Sequence, residues 1–145
     1  MRIVSGYFVI LGNIVMTKRH NVLIVEDRPD LARMTMLVLK QSRFEADVAH
    51  TGQQAMEYIK TRRPDVMLLD IEMPRIDGFE LATYMRNSDE LKDTPIIMIT
   101  SRSGDKHRRR AEQIGVNKFM TKPYQDQDLL QQLYAIMRNK PASAH

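Results

Sequence analysis

Val66-Met67-Leu68-Leu69-Asp70-Ile71-Glu72-Met73-Pro74 runs four apolar residues without a break into one aspartate and closes on a proline four residues later. A short continuous apolar run bounded by turn signals is the pattern of a strand buried on both faces, as inside a parallel sheet. Pro64 before it and Pro74 after it delimit the strand, because proline gives no amide to a ladder. The carboxyl end of such a strand is where open α/β sheets place their ligands. Taken alone, Asp70 could equally cap the next turn. The rest of the chain decides between the two.

Working outward, the same pattern recurs. Val22-Leu23-Ile24-Val25 reads as a buried strand ending in Glu26-Asp27, Ala46-Asp47-Val48-Ala49 as a shorter one, Pro95 to Thr100 as a fourth and Val116 to Met120 as a fifth. Helical spacing fills the intervals. Pro29 sits where a first helical turn tolerates proline, and Leu31, Met34, Leu37 and Val38 form an expected inward stripe. Thr51-Gly52 lead into a helix with Ala55, Met56 and Ile59 inward. Asp77-Gly78-Phe79-Glu80 has capping-box spacing, and Leu91 to Thr94 reads as a polar loop. A helix from about Gly104 to Ile114 stops at Gly115, and the last helix carries Leu129, Leu130, Leu133, Ile136 and Met137. Five strands in strict alternation with five helices imply an α/β fold, a doubly wound, flavodoxin-like parallel sheet in the order 2-1-3-4-5.

The totals fit one domain of 145 residues, with 43% hydrophobic and 28% charged residues. The absence of cysteine excludes a disulfide framework, thiolate metal sites and a cysteine nucleophile. Twenty-two basic against 18 acidic side chains leave a net +4, too mild an excess to call for nucleic acid. Eleven methionines fall mostly in apolar stripes and read as core filler. Residues 1–20 look foreign to the rest of the chain. Ile3 to Met16 is largely apolar, broken by Ser5, Gly6, Gly12 and Asn13, and shorter than the roughly 20 residues of a membrane span. A leader upstream of a start at Met16, a loosely attached extension, and a secretory or anchoring segment all remain open. The domain is expected over 21–138, with a flexible tail at 139–145.

In a parallel sheet the ends of all five strands lie on one edge. Glu26-Asp27, Asp70, Thr100 and Thr121-Lys122-Pro123 therefore converge on one cleft. Two carboxylates at 4 Å repel by about 1 kcal/mol in water and by roughly 4 kcal/mol at an effective dielectric near 20. Lys122 supplies one compensating charge, and a hard divalent cation, magnesium, is the natural second partner. Asp27 and Asp70 are the expected direct ligands, and Glu26 could reach a metal-bound water. Zinc does not suit a site without histidine or cysteine. An aspartate beside magnesium can accept a phosphoryl group, with the metal and Lys122 neutralising charge and Thr100 donating to a phosphoryl oxygen.

This constellation resembles the CheY-like receiver domain of two-component response regulators. The resemblance covers about residues 21–138 and is carried by Val25-Glu26-Asp27, Leu68 to Pro74 with Asp77-Gly78, Ile99-Thr100-Ser101 and Thr121-Lys122-Pro123. It implies that Asp70 is the phosphoacceptor, Glu26 and Asp27 the acidic pair, Thr100 the switch hydroxyl and Lys122 the phosphate-sensing lysine. It further implies that Glu72 lends its backbone carbonyl to the metal, that Phe119 is the switch aromatic, and that Lys122-Pro123 is a candidate cis bond. The expected protein catalyses only its own phosphorylation and dephosphorylation and works in the cytoplasm. Its expected partners are a sensor histidine kinase or histidine phosphotransfer domain and a separate downstream protein, with no membrane and no nucleic acid. A closer likeness, in Asp70 to Glu80 and Pro95 to Gln125, is to receivers of chemotaxis-type hybrid kinases controlling pilus motility.

Phosphorylation is expected to reshape the fourth helix, fifth strand and fifth helix, where Lys106-His107-Arg108-Arg109-Arg110 and Lys118 make a basic face. That face reads either as a solvated surface or as a dock for an acidic protein. Glu72 and Arg102 each follow a site residue by two, so a salt bridge across the cleft mouth is a further expectation, set against two independent solvated side chains. Two other function classes compete. A phosphohydrolase of the haloacid dehalogenase type uses similar groups, but places its nucleophile on the first strand and its acidic pair last. A non-phosphorylated interaction module would not need the acceptor, lysine and acidic pair together.

Overall fold

A computed structural model describes residues 9–11, 14–16, 19–102 and 104–138. Within the first 20 residues, β1 (Val9–Leu11) pairs antiparallel with β2 (Ile14–Met16) in a two-stranded sheet of their own. The expected tail at 139–145 lies outside the described residues, as does the remainder of the leading segment up to residue 18.

The main sheet comprises β3 (Asn21–Val25), β4 (Glu45–Ala49), β5 (Val66–Asp70), β6 (Ile96–Thr100) and β7 (Lys118–Thr121). All neighbours are parallel and the order is β4-β3-β5-β6-β7, which is 2-1-3-4-5 counted within this sheet. The helices between and after them are α1 (Pro29–Gln41), α2 (Gly52–Thr61), α3 (Gly78–Arg86), α4 (Asp105–Ile114) and α5 (Asp126–Arg138). The flavodoxin-like expectation is met in strand number, direction and order.

Alternation along each strand divides the core in two. Leu23, Val25, Met67, Leu69, Ile96 and Met98 face α2, α3 and α4, meeting Ala55, Ile59, Phe79, Met85 and Ala111. Val22, Ile24, Val66, Leu68, Ile97 and Ile99 face α1 and α5, meeting Leu39, Leu129, Leu133 and Ile136. The sheet interior is apolar on both sides because both sides are covered. All five residues of β5 and of β6 are buried.

Local signals set most helix ends. Thr51 accepts from the Gln54 amide and Asp77 from the Glu80 amide at 2.9 Å, so both act as N-caps. Gly115 closes α4 at φ +95°, a left-handed conformation that favours glycine. The inward stripe of α1 differs from expectation. Ala32 and Leu39 are buried, whereas Met34 is 63% and Leu37 55% exposed. The helix is rotated so that Ala32 is buried and Leu39 joins the sheet-side core, and the bulkier pair lies along a groove beside α5. Leu91, expected in a polar loop, is buried and belongs to the α2–α4 core. β7 begins two residues later than expected. Val116 instead donates to the Ala111 carbonyl, and the Asn117 side chain accepts from the Ile96 amide.

The rotated phase of α1 has a measurable consequence. Leu39→Ala is expected to cost about 3 kcal/mol of unfolding free energy, while Met34→Ala changes it by less than about 0.5 kcal/mol. Urea denaturation of the two variants distinguishes this phase from one that turns Met34 inward.

Candidate functional site

Parallel register brings the strand ends level. Val25 lies opposite Leu69, Asp70 opposite Ile99 and Thr100 opposite Thr121, so the residues next in the chain leave the sheet at one edge. Asp70 ends β5 and is 5% exposed. The segment after it folds back tightly, with the Gly78 amide donating to the Ile71 carbonyl. A Cβ on Gly78 would sit 2.6 Å from the Asp70 carbonyl oxygen and 2.8 Å from the Ile71 Cα. Only glycine permits that approach, and it fixes the backbone beneath the carboxylate.

Glu26 follows β3 and is buried; its amide donates to the Ala49 carbonyl. Lys122 follows β7, its amide donates to the Thr100 carbonyl at 2.7 Å, and the Lys122-Pro123 bond is cis, as expected. Its Nζ lies 2.8 Å from Glu26 Oε1 and 3.7 Å from Asp70 Oδ2. Glu26, Asp27 and Asp70 each offer a carboxylate oxygen, all within 4.8 Å of one another. The residues expected at the strand ends are thus together: Glu26, Asp27, Asp70 and Lys122 in one cluster, with Thr100 fully buried at the end of β6. Phe119 stands apart on β7, half-buried against the α2–α4 core, with the Arg108 guanidinium 4.8 Å from its ring centre.

Charge in this cluster is out of balance. Burial pushes the Asp70 carboxyl from 3.8 to about 7, the Glu26 charge pushes the same way, and Lys122 pulls back only in part. Burial works most strongly to raise Glu26, but the bond and charge of Lys122, a hydrogen bond with Asp70 and the Arg28 amide together outweigh it and hold the carboxyl below its ordinary value. Asp27 is raised by burial and by Glu26 beside it. Lys122 loses solvation too, yet Glu26 and Asp70 keep its ammonium more tightly protonated than usual. With all three carboxylates ionised against one ammonium, two negative charges are unmatched. An all-oxygen donor set with that deficit fits a hard divalent cation, which Glu26, Asp27 and Asp70 could hold.

The expected ion pair between Glu72 and Arg102 is not formed. The Glu72 carboxylate instead accepts from the Thr100 and Ser101 hydroxyls, and Arg102 contributes its backbone amide to Thr100 Oγ1 at 3.0 Å. Contacts between a turn and the end of the neighbouring strand leave no periodic trace, so the grip of Ser101 on the Glu72 side chain was not legible. The same holds for Tyr124 and Thr35. With Glu26, Asp70 and Lys122 they help line a cavity of about 20 Å³, room for a single water. A wider groove of about 710 Å³ runs beside it between α1 and the start of α5, bordered by Met34, Leu37, Lys122 and Tyr124.

Residues 22–134 match the response regulator receiver domain family. This chain belongs to that family. The receiver is 32% identical over 117 residues to the phosphate regulon transcriptional regulatory protein PhoB of Pseudomonas aeruginosa, covering 81% of this chain and 51% of PhoB. It is 33% identical to hybrid signal transduction histidine kinase B of Dictyostelium discoideum, covering 80% of this chain and 6% of that kinase. The chain spans about half the length of the first curated relatives it matches. Among solved structures it is similar to a putative response regulator from Chloroflexus aurantiacus, at TM-score 0.80 and 30% identity over 83% of this chain and 99% of that one. The Vibrio cholerae chemotaxis protein CheY4 gives TM-score 0.77 and 27% identity over 81% and 98%. Among the described residues no helix is long and apolar enough to cross a membrane.

Two measurements test this arrangement on the receiver without metal. Folded Asp70 holds its proton more tightly than the unfolded chain does, so the stability this group contributes is fully present below about pH 4 and is lost as pH rises through about 7. Asp70→Asn should therefore raise the unfolding free energy near pH 8 by up to about 4 kcal/mol, with little gain near pH 4. Chemical denaturation in a chelator at the two pH values measures it, and an equal gain at both would contradict the assignment. Gly78→Ala should cost more than about 2 kcal/mol, and amide chemical shifts at Asp70 and Ile71 should move with it.

Proposed function

We propose that this receiver accepts a phosphoryl group on Asp70 from a phosphohistidine donor, either a sensor histidine kinase or a histidine phosphotransfer domain. The observation that carries the reading is the cluster itself. A buried strand-end carboxylate lies 3.7 Å from the Lys122 ammonium, with the Glu26 and Asp27 carboxylates within 4.8 Å.

An Asp70 carboxylate oxygen attacks phosphorus, the phosphorus–nitrogen bond breaks, and its electron pair returns to the donor imidazole. Magnesium, when bound, neutralises charge on the transferring oxygens. Glu26, Asp27, Asp70 and the Glu72 backbone carbonyl are the groups assigned to hold it. Lys122 is positioned to pair with the phosphoryl oxygens as it now pairs with Glu26 and Asp70. Burial of Asp70 excludes bulk water from the acyl phosphate.

The attached group carries nearly two negative charges and draws the Thr100 hydroxyl towards it. Phe119 then turns in the space released, and the faces of α4, β7 and α5 shift between two packings. Lys106, Arg108, Arg109, Arg110 and Lys118 are exposed there and suit an acidic surface on a downstream protein. The functional unit is read as residues 21–138 acting in the cytoplasm, and a place among the receivers of hybrid kinases that control pilus motility is the finer form of this proposal. The order of the site residues opposes the phosphohydrolase reading, since here the acidic pair comes first and the acceptor on the third strand of the sheet.

Incubation of the full chain with acetyl phosphate and magnesium should add one phosphoryl group per chain, lost in Asp70→Asn. Lys122→Ala should slow labelling by on the order of tenfold or more. Many turnovers on small phosphate esters would instead identify a hydrolase, and no Asp70-dependent labelling would leave the interaction module.

A further inference from the structure

Glu72 lies two residues beyond Asp70 at the mouth of the same cleft, and its carboxylate is gripped from the neighbouring strand. Thr100 Oγ1 donates to Oε1 at 2.5 Å and Ser101 Oγ donates to Oε2 at 2.6 Å. The Ser101 amide approaches Oε2 at 3.4 Å, and the Glu72 amide itself donates to Asp70 Oδ1 at 3.2 Å. One carboxylate therefore spans the ends of β5 and β6 directly beside the acceptor.

A hydroxyl has a single proton to give. Thr100 is fully buried, and its hydroxyl oxygen already accepts the Arg102 amide. Its one proton is therefore committed to Glu72, and while it stays there it is not offered to an oxygen on Asp70. Bonds from hydroxyls to a carboxylate are charge-assisted and stronger than neutral ones.

We propose that the Glu72 carboxylate is a built-in competitor for the Thr100 and Ser101 hydroxyls, detaining them until a stronger anion forms on Asp70. The inference rests on Asp70 being the phosphoacceptor. Switching then exchanges one anionic acceptor for another, so the gain from the phosphoryl group is a difference between two similar attractions. Glu72 thereby sets how far phosphorylation shifts the population, because only differential affinity moves a two-state equilibrium. It is a positioning residue, acting through Thr100 and Ser101.

The test is calorimetric titration of the full chain with trifluoroberyllate and magnesium, a mimic of the phosphoryl group on Asp70. Glu72→Ala should bind about tenfold more tightly than the parent. Glu72→Gln, which keeps the length and one acceptor, should show a smaller change of the same sign. Removing a negative charge would also favour an anion, so the decisive comparison is made with the hydroxyls deleted. In a Thr100→Val, Ser101→Ala background the gain from Glu72→Ala should fall below about twofold, the signature of coupled groups in a double-mutant cycle. A gain that persists in full there, or equal affinity of Glu72→Ala and the parent, overturns the competitor. A separate arm checks the foundation. If the parent binds trifluoroberyllate no better than Asp70→Asn, the phosphoacceptor reading itself fails and the competitor falls with it.

Discussion

Like charges held together at the edge of a buried sheet are the constraint on which this structure turns. Glu26, Asp27 and Asp70 have carboxylate oxygens within 4.8 Å, and no loop contact alone would keep them there. Repulsion between such groups amounts to a few kcal/mol at the dielectric of a protein margin. It is resisted by the two-sided apolar packing of β3 and β5, whose residues are almost wholly inaccessible. Asp70 ends β5 and Glu26 directly follows β3, so the packed strands hold both backbones at this edge. Gly78 removes the remaining route of escape by clamping the segment behind Asp70 against its own backbone. Burial first, and the Glu26 charge second, raise the Asp70 carboxyl, and Lys122 offsets this only in part.

Most of the architecture was readable because a parallel sheet covered on both faces writes its strands as unbroken apolar runs. Val66 to Leu69 and Ile96 to Ile99 could be assigned without any periodicity, and their carboxyl ends located the acidic cluster at once. Helix phase was harder to read. In α1, large apolar residues occur at so many positions that composition does not say which side faces the sheet, and the buried pair is Ala32 and Leu39. Leu91 was hidden among polar neighbours, although a single side chain can plug a core from within a loop. The grip of Thr100 and Ser101 on Glu72 was illegible for another reason. It depends on where a non-repeating turn points one flexible side chain, which spacing between strands does not encode.

The charged run on α4 looks uniform in sequence and is not so in space. Arg108 lies over Phe119 and Arg110 over Phe79, with guanidinium carbons 4.8 and 4.3 Å from the ring centres, while His107 stacks on Phe79 at 5.7 Å. Guanidinium groups favour aromatic faces, and resting there restrains otherwise loose side chains. Part of the positive charge is thus tethered to the underlying core, and the Phe119 ring is itself one of the tethers.

The division of the core into two layers has an effect on traffic through the molecule. Phe119 packs with α2, α3 and α4, whereas α1 and α5 rest on the opposite face with a separate set of apolar residues. The sheet between them is a partition one side chain thick in each direction. The Phe119 ring therefore touches its own compartment directly, and any effect it has on α5 must pass through the sheet. The basic face of α4 and the groove beside α1 thus belong to different compartments, and the sheet is the one wall they share.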